Sequence, residues 1–73
     1  MEKVIINTEY ITLGQFLKFV KIINNGGAAK NFIATNSIYV NNELENRRGR
    51  KLKDNDHLKI VDKEYVIECK LKG

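Results

Sequence analysis

The hydrophobic pattern of this chain changes period once, near Asn36, and that switch limits the folds open to it. Before it, apolar residues recur at helical spacing: Leu13, Phe16, Leu17 and Val20, widened by Phe19 and Ile23. After it, they alternate, as in Ser37-Ile38-Tyr39-Val40 and His57-Leu58-Lys59-Ile60-Val61. A chain of 73 residues has room for one core. It buries only about 60% of the surface its unfolded chain exposes, so no deep active site fits beside that core. Helices followed by short strands must pack as layers, so the expected fold is α+β, with two short N-terminal helices on a small antiparallel sheet. A single domain, 1–73, is expected.

The punctuation supports this order. Thr12 with Gln15 three residues later has the form of a capping box and opens the first helix. Gly14, Lys18 and Lys21 fall on its outer side, where Ile22 is the odd apolar residue. Asn24-Asn25-Gly26-Gly27 is expected to end that helix, since both residue types accept a left-handed cap. A second helix is expected from Ala28 to Thr35, with Ala28, Ala29, Phe32 and Ile33 inward, and Asn36 is expected to stop it in the left-handed region. Lys3-Val4-Ile5-Ile6 reads as a strand or an extended lead-in. Asn41-Asn42, Asp54-Asn55-Asp56 and Asp62-Lys63 read as turns, and Tyr65–Cys69 as the last strand.

Charge is the second constraint. Asn46-Arg47-Arg48-Gly49-Arg50-Lys51-Leu52-Lys53 contains five cations, including all three arginines of the protein. The other 65 residues hold eight lysines against nine acids, so the net charge of +4 is local. Arginine presents a planar fork that fits phosphate oxygens, and lysine adds a point charge. Gly49 allows a turn or a close approach. A concentrated basic segment points to nucleic acid; the plainer alternative is a solvated loop. Gly26-Gly27, opening the helix that carries Lys30, is a second place where a phosphate could meet free N–H groups, although a simple tight corner explains the glycines equally. Lys18 and Lys21 matter only if the fold brings them beside Lys30 and the arginines.

Catalytic chemistry finds little support. His57 stands beside Asp56 in a turn with no second ligand nearby, and Cys69 reads as a small apolar strand residue. Neither a metal site nor a cofactor site is expected. One cysteine excludes an internal disulfide and suits a reducing cytosol. No apolar run approaches the ~20 residues that a membrane span needs. Tyr10, Tyr39 and Tyr65 could stack on bases, with packing as their default role.

The strings Leu13-Gly14-Gln15-Phe16-Leu17-Lys18, Gly26-Gly27-Ala28-Ala29-Lys30, Ile38-Tyr39-Val40-Asn41-Asn42-Glu43, Arg47-Arg48-Gly49-Arg50-Lys51-Leu52 and Asn55-Asp56 occur in an informative order. The chain resembles, over residues 8–60, the RNA-binding domain first described in small-subunit ribosomal protein S-four, also called the α-L motif. Within that family it is most similar to the stand-alone YaaA/YbcJ-type members. The resemblance implies a non-catalytic module that presents a basic face to structured RNA. Such modules recur in ribosomal proteins, tyrosyl-tRNA synthetases, pseudouridine synthases and a heat-shock protein of the large ribosomal subunit. It implies ribosomal RNA as the first partner, transfer RNA as a second, and a role in ribosome assembly or translation. It carries over Lys18, Lys30, Arg47, Arg48, Arg50 and Lys51 as RNA-contacting residues. Lys21 and Lys53 join them on charge and face, and Gly26 and Gly27 as the corner beside Lys30. A cytoplasmic monomer is expected. Asn36, Asn42 and Asn55 stand where the family usually has glycine, and asparagine tolerates positive φ best among the other residues. The competing function is a protein-interaction adaptor docking on a ribosomal or acidic partner, suggested by Ile22; DNA binding is a third.

Overall fold

A computed structural model of the chain describes residues 1–70; residues 71–73 of the expected domain lie outside it. Along the chain come β1 (Glu2–Ile6), β2 (Ile11–Thr12), α1 (Leu13–Phe19), a 3-10 turn (Gly26–Ala28), α2 (Ala29–Thr35), β3 (Ile38–Val40), β4 (Glu43–Leu44), β5 (Lys51–Leu52), β6 (His57–Ile60) and β7 (Lys63–Cys69). The class is α+β, but the sheet is not wholly antiparallel. Five strands lie in the order β1-β7-β6-β3-β4, with β1 parallel to β7. The helices therefore follow two strands and are not N-terminal. Long-range pairing explains the difference. β1 runs beside β7 from Glu2↔Tyr65 to Ile6↔Cys69, and nothing local in Lys-Val-Ile-Ile reveals a partner sixty residues away.

Alternation builds the core. β3 and β6 bury every second residue, Ile38 and Val40 against Leu58 and Ile60, and β1 adds Val4 and Ile6. Leu13, Phe16 and Leu17 of α1 and Ala29 and Ile33 of α2 cover that face. Phe16 meets the buried ring of Tyr65 edge-on, with centroids 5.3 Å apart. Phe19 departs from expectation: it faces solvent at 55% exposure. A second, two-stranded ribbon pairs Ile11 with Leu52 and Thr12 with Lys51.

Helix ends correct the sequence reading in two places. The capping box at Thr12 forms in full: Gln15 N–H donates to Thr12 Oγ1 and Thr12 N–H to Gln15 Oε1 (3.0 Å). The helix stops at Phe19, however, well before the Asn-Asn-Gly-Gly string. Lys21 takes φ 63°, its N–H donates to the Lys18 carbonyl and the Ile22 N–H donates to the Leu17 carbonyl (2.9 Å). This is a Schellman cap with lysine where glycine is usual, and it turns Ile22 onto the core. Neither Gly26 nor Gly27 has positive φ. Asn36 is extended at φ −133° and caps α2 by its side chain, Nδ2 donating to the Phe32 carbonyl (3.1 Å).

Asn42 and Asn55 do adopt φ 70°. With Asn41 at 52°, Asn41-Asn42 forms the two-residue turn between β3 and β4, where both central residues need positive φ. The last hairpin turns at Val61-Asp62, one residue earlier than expected, and puts Val61 at φ 58°.

Candidate nucleic-acid interface

The arginine segment links β4 to β5, and two sets of contacts fix it. The first is backbone. The Arg50 carbonyl accepts from Leu13 N–H (2.8 Å) and the Arg48 carbonyl from Gly14 N–H (2.9 Å). These are the first donors of α1, which a helix leaves unpaired. The loop therefore caps the helix, and the helix holds the loop. Gly14 lies close to both Ala29 and the Arg48 backbone, so α1, the start of α2 and the loop converge there.

The second anchor is Glu45, a buried carboxylate just before the arginines. Its Oε2 accepts from the Arg47 backbone N–H (3.0 Å) and from Arg47 Nε (2.9 Å). Its Oε1 accepts from Arg47 Nη2 (3.2 Å) and Arg50 Nη1 (2.8 Å). Arg47 above all, then Arg50, lowers the Glu45 pKa from 4.5 to about 2, against the opposing effect of burial. Glu45 is thus ionised at neutral pH and orients two guanidinium groups. The Glu45 N–H donates to the Ile38 carbonyl (2.8 Å), which ties the carboxylate to the central sheet.

The cations fall into neighbouring grooves. Arg47, Arg50, Lys51 and Lys53 line one of about 620 Å3, together with Gly49 and Asp56. The Asp56 carboxylate there accepts the Lys53 N–H (2.7 Å) and an Asn41 amide (3.1 Å), so it braces two turns. Lys30 and Arg48 line a second groove of about 660 Å3, across which Glu45 and Asn46 also lie. Lys18 lines a third groove with Tyr10 and Phe19, and Lys51 reaches over the Tyr10 ring, 4.9 Å from its centroid. Lys21 stands apart, beside Glu2 and Lys3 on the β1 side. The Gly26-Gly27 corner is local: Ala28 N–H already goes to Asn25 Oδ1 (3.1 Å) and to the Asn25 carbonyl. Within this arrangement Arg48 and Lys30 converge, Lys18 connects through Tyr10 and Lys51, and Lys21 does not join them.

Sequence reasoning missed Glu45. An acid two residues before one arginine and five before another was the available signal, but its burial depends on β4 meeting β3. The sequence also singled out Ile22 as an exposed apolar residue; it is half-buried against the core.

A family model for the S4 domain matches residues 4–68, nearly the whole chain. The protein belongs to the S4 domain family. A relative of Bacillus subtilis (strain 168), described as a probable ribosome maturation protein RlbA, is 53% identical over 55 residues, which cover 75% of this chain and 78% of the relative. The matched span of this S4 domain runs from within β1 into β7 and contains Glu45, the three arginines and Lys18, Lys21, Lys30, Lys51 and Lys53. It supports the resemblance carried by the Gly-Gly-x-Ala-Lys and Asn-Arg-Arg-Gly-Arg strings. Elsewhere in this S4 domain the described residues contain no cluster of three metal-ligating side chains, and no helix long and apolar enough to cross a membrane.

Proposed function

We propose that this S4 domain is a non-catalytic, cytoplasmic RNA-binding module that recognises structured RNA, ribosomal RNA foremost, during ribosome assembly or translation. Arg47, Arg48, Arg50, Lys51 and Lys53 make the central contact, Lys30 and Lys18 extend it, and the Gly26-Gly27 corner flanks Lys30. The observation that carries the reading is the double anchoring of the arginine loop on Glu45 and on the first N–H groups of α1. A solvated loop needs no such scaffold. An anion site gains from one, because side chains already ordered lose less entropy on binding. The ribosomal name of the Bacillus relative supports the setting. Phosphate contacts then position the domain, and RNA shape is read in preference to base sequence.

Salt titration of binding to a ribosomal RNA hairpin tests the mechanism. About four neutralised phosphates give a slope of log affinity against log salt of about −3 to −4. A flat response sinks the electrostatic reading, and equal competition by duplex DNA sinks the preference for RNA. Reversing Arg47 or Arg50 would set a new carboxylate against buried Glu45 and confuse folding with binding. Arg48 and Lys30 are cleaner probes, since neither is held by Glu45. The double variant Lys30→Glu, Arg48→Glu is expected to lose about 10- to 100-fold in affinity and about two units of salt slope, with an unchanged melt.

A further inference from the structure

Tyr10 and Phe19 are exposed aromatics outside the core, and they line the same groove, about 740 Å3 in volume, with Ile5, Ile11, Gln15 and Lys18. A single exposed apolar residue is ordinary; two aromatic rings on one concave surface make a patch that can receive something. Its occupant can be argued from charge. The Lys51 ammonium lies over the Tyr10 ring, a cation–π contact, and Lys51 also lines the groove of Arg47 and Arg50. The aromatic groove is therefore linked to the arginine loop by Lys51, which contacts its Tyr10 wall, and Lys18 provides a cation in the groove's own lining. An aromatic surface flanked by cations fits a planar group joined to anions on both sides. Glu9 also lines the groove. It repels any anion beside it, carboxylate or phosphate alike, but accepts the amino hydrogens of a base. An uncharged planar group therefore fits that stretch better than an acidic side chain, with the anions left to the lysines.

We propose that this groove takes an unpaired nucleobase of the bound RNA, stacked against Tyr10 and Phe19, with its flanking phosphates on Lys18 and Lys51. The proposal rests on the RNA-binding reading and narrows it: the target is a helix with a bulged or looped-out nucleotide beside the strand that the arginine loop holds. RNA proteins commonly read splayed bases on aromatic rings, and each such stack is worth enough to measure.

Two hairpins that differ only by one bulged 2-aminopurine provide the test. The bulged hairpin binds about 5- to 100-fold tighter, and the emission of 2-aminopurine falls on binding. Tyr10→Ala with Phe19→Ala abolishes the preference. Phe19→Ala alone, which leaves the Tyr10–Lys51 contact intact, reduces it and leaves affinity for the fully paired hairpin unchanged. Both side chains are exposed, so the melt is preserved. Tyr10→Phe retains the preference, since stacking needs the ring and not the hydroxyl. Salt-dependent but equal binding of both hairpins by the native protein overturns the base site alone. Binding of neither hairpin removes the RNA-binding reading and the base site with it. If the double alanine variant keeps its hairpin preference but loses a ribonuclease-resistant protein partner, the groove is a protein dock and the proposal is wrong.

Discussion

Residues 45–50 and residues 24–28 both connect regular elements, both contain glycine, and both carry a phosphate-binding expectation from sequence. They are held in opposite ways. The arginine loop is fixed through the rest of the fold: its carbonyls accept from the distant amides of Leu13 and Gly14, and its own Glu45, whose N–H is bonded to Ile38 on the central sheet, holds Arg47 and Arg50. The glycine corner is fixed by itself, Asn25 capping Ala28 and the Ala29 N–H returning to the Gly26 carbonyl. One is a charged surface whose geometry the whole fold determines; the other is a bend that leaves few donors free. Density of charge or glycine alone did not separate them. Anchorage does, because binding an anion costs less when its partners are already ordered.

Glu45→Gln is the strongest way to break this contrast. It removes one acid, so the net charge rises from +4 to +5. Charge alone then predicts tighter RNA binding. Anchorage predicts the reverse: two freed arginines, at about 0.5–1.5 kcal/mol each, weaken binding by about 5- to 100-fold. The buried site also loses its charged acceptor, at a cost of about 1–3 kcal/mol. At about 4–8 °C per kcal/mol for a domain of this size, the melting temperature falls visibly. Tighter binding by this variant would show the loop to be a mobile charge cloud.

Acid titration examines the same anchor without mutation. Glu45 has a folded pKa near 2 against an ordinary 4.5. A depressed carboxylate stabilises the fold above its unfolded pKa and loses that contribution as pH falls through the folded one. The loss therefore runs from about pH 4.5 down to about pH 2. It amounts to about 3 kcal/mol as an upper limit, reduced because the Arg47 side chain is 71% exposed to solvent. Glu68, lowered by Lys70 and then Lys3, acts in the same direction in every variant. The difference between native protein and Glu45→Gln isolates Glu45: the native melt should decline more steeply across that window, and parallel curves would remove Glu45 as an anchor.

What was legible in the sequence divides along the same line. Thr12 and Gln15 announce a helix start because a capping box closes within four residues. Asn41-Asn42 announces a hairpin because two residues adjacent in the chain carry the turn. The arginine segment was visible as composition, and its family strings were specific enough to name its kind. The parallel pairing of β1 with β7, the ribbon joining Thr12 to Lys51 and the burial of Glu45 were hidden, because each depends on chain segments that meet only after folding. Lys21 and Asn36 misled for a local reason. The left-handed cap fell on the lysine that lets Ile22 reach the core, and Asn36 had a side-chain bond to Phe32 available in place of positive φ.

The smallest expected effect concerns the corner itself. Gly26 has no positive φ, and a Cβ built there meets nothing within 4 Å. Gly26→Ala should therefore stabilise the protein by about 0.4–1 kcal/mol, chiefly by restricting the unfolded chain. At Gly27 a Cβ would lie 3.2 Å from Asn25 Oδ1, the atom that caps Ala28. That oxygen must give way, so Gly27→Ala forfeits some of its entropic gain, and the two alanines separate in thermal melts. In RNA titrations they should not separate. If anchorage decides the site, both bind as the native protein does, because the arginine loop is untouched. A marked loss of affinity in Gly26→Ala, at undiminished stability, would mean that RNA approaches the bare backbone there. The corner would then be a phosphate site after all, held by close approach and not by anchored charge.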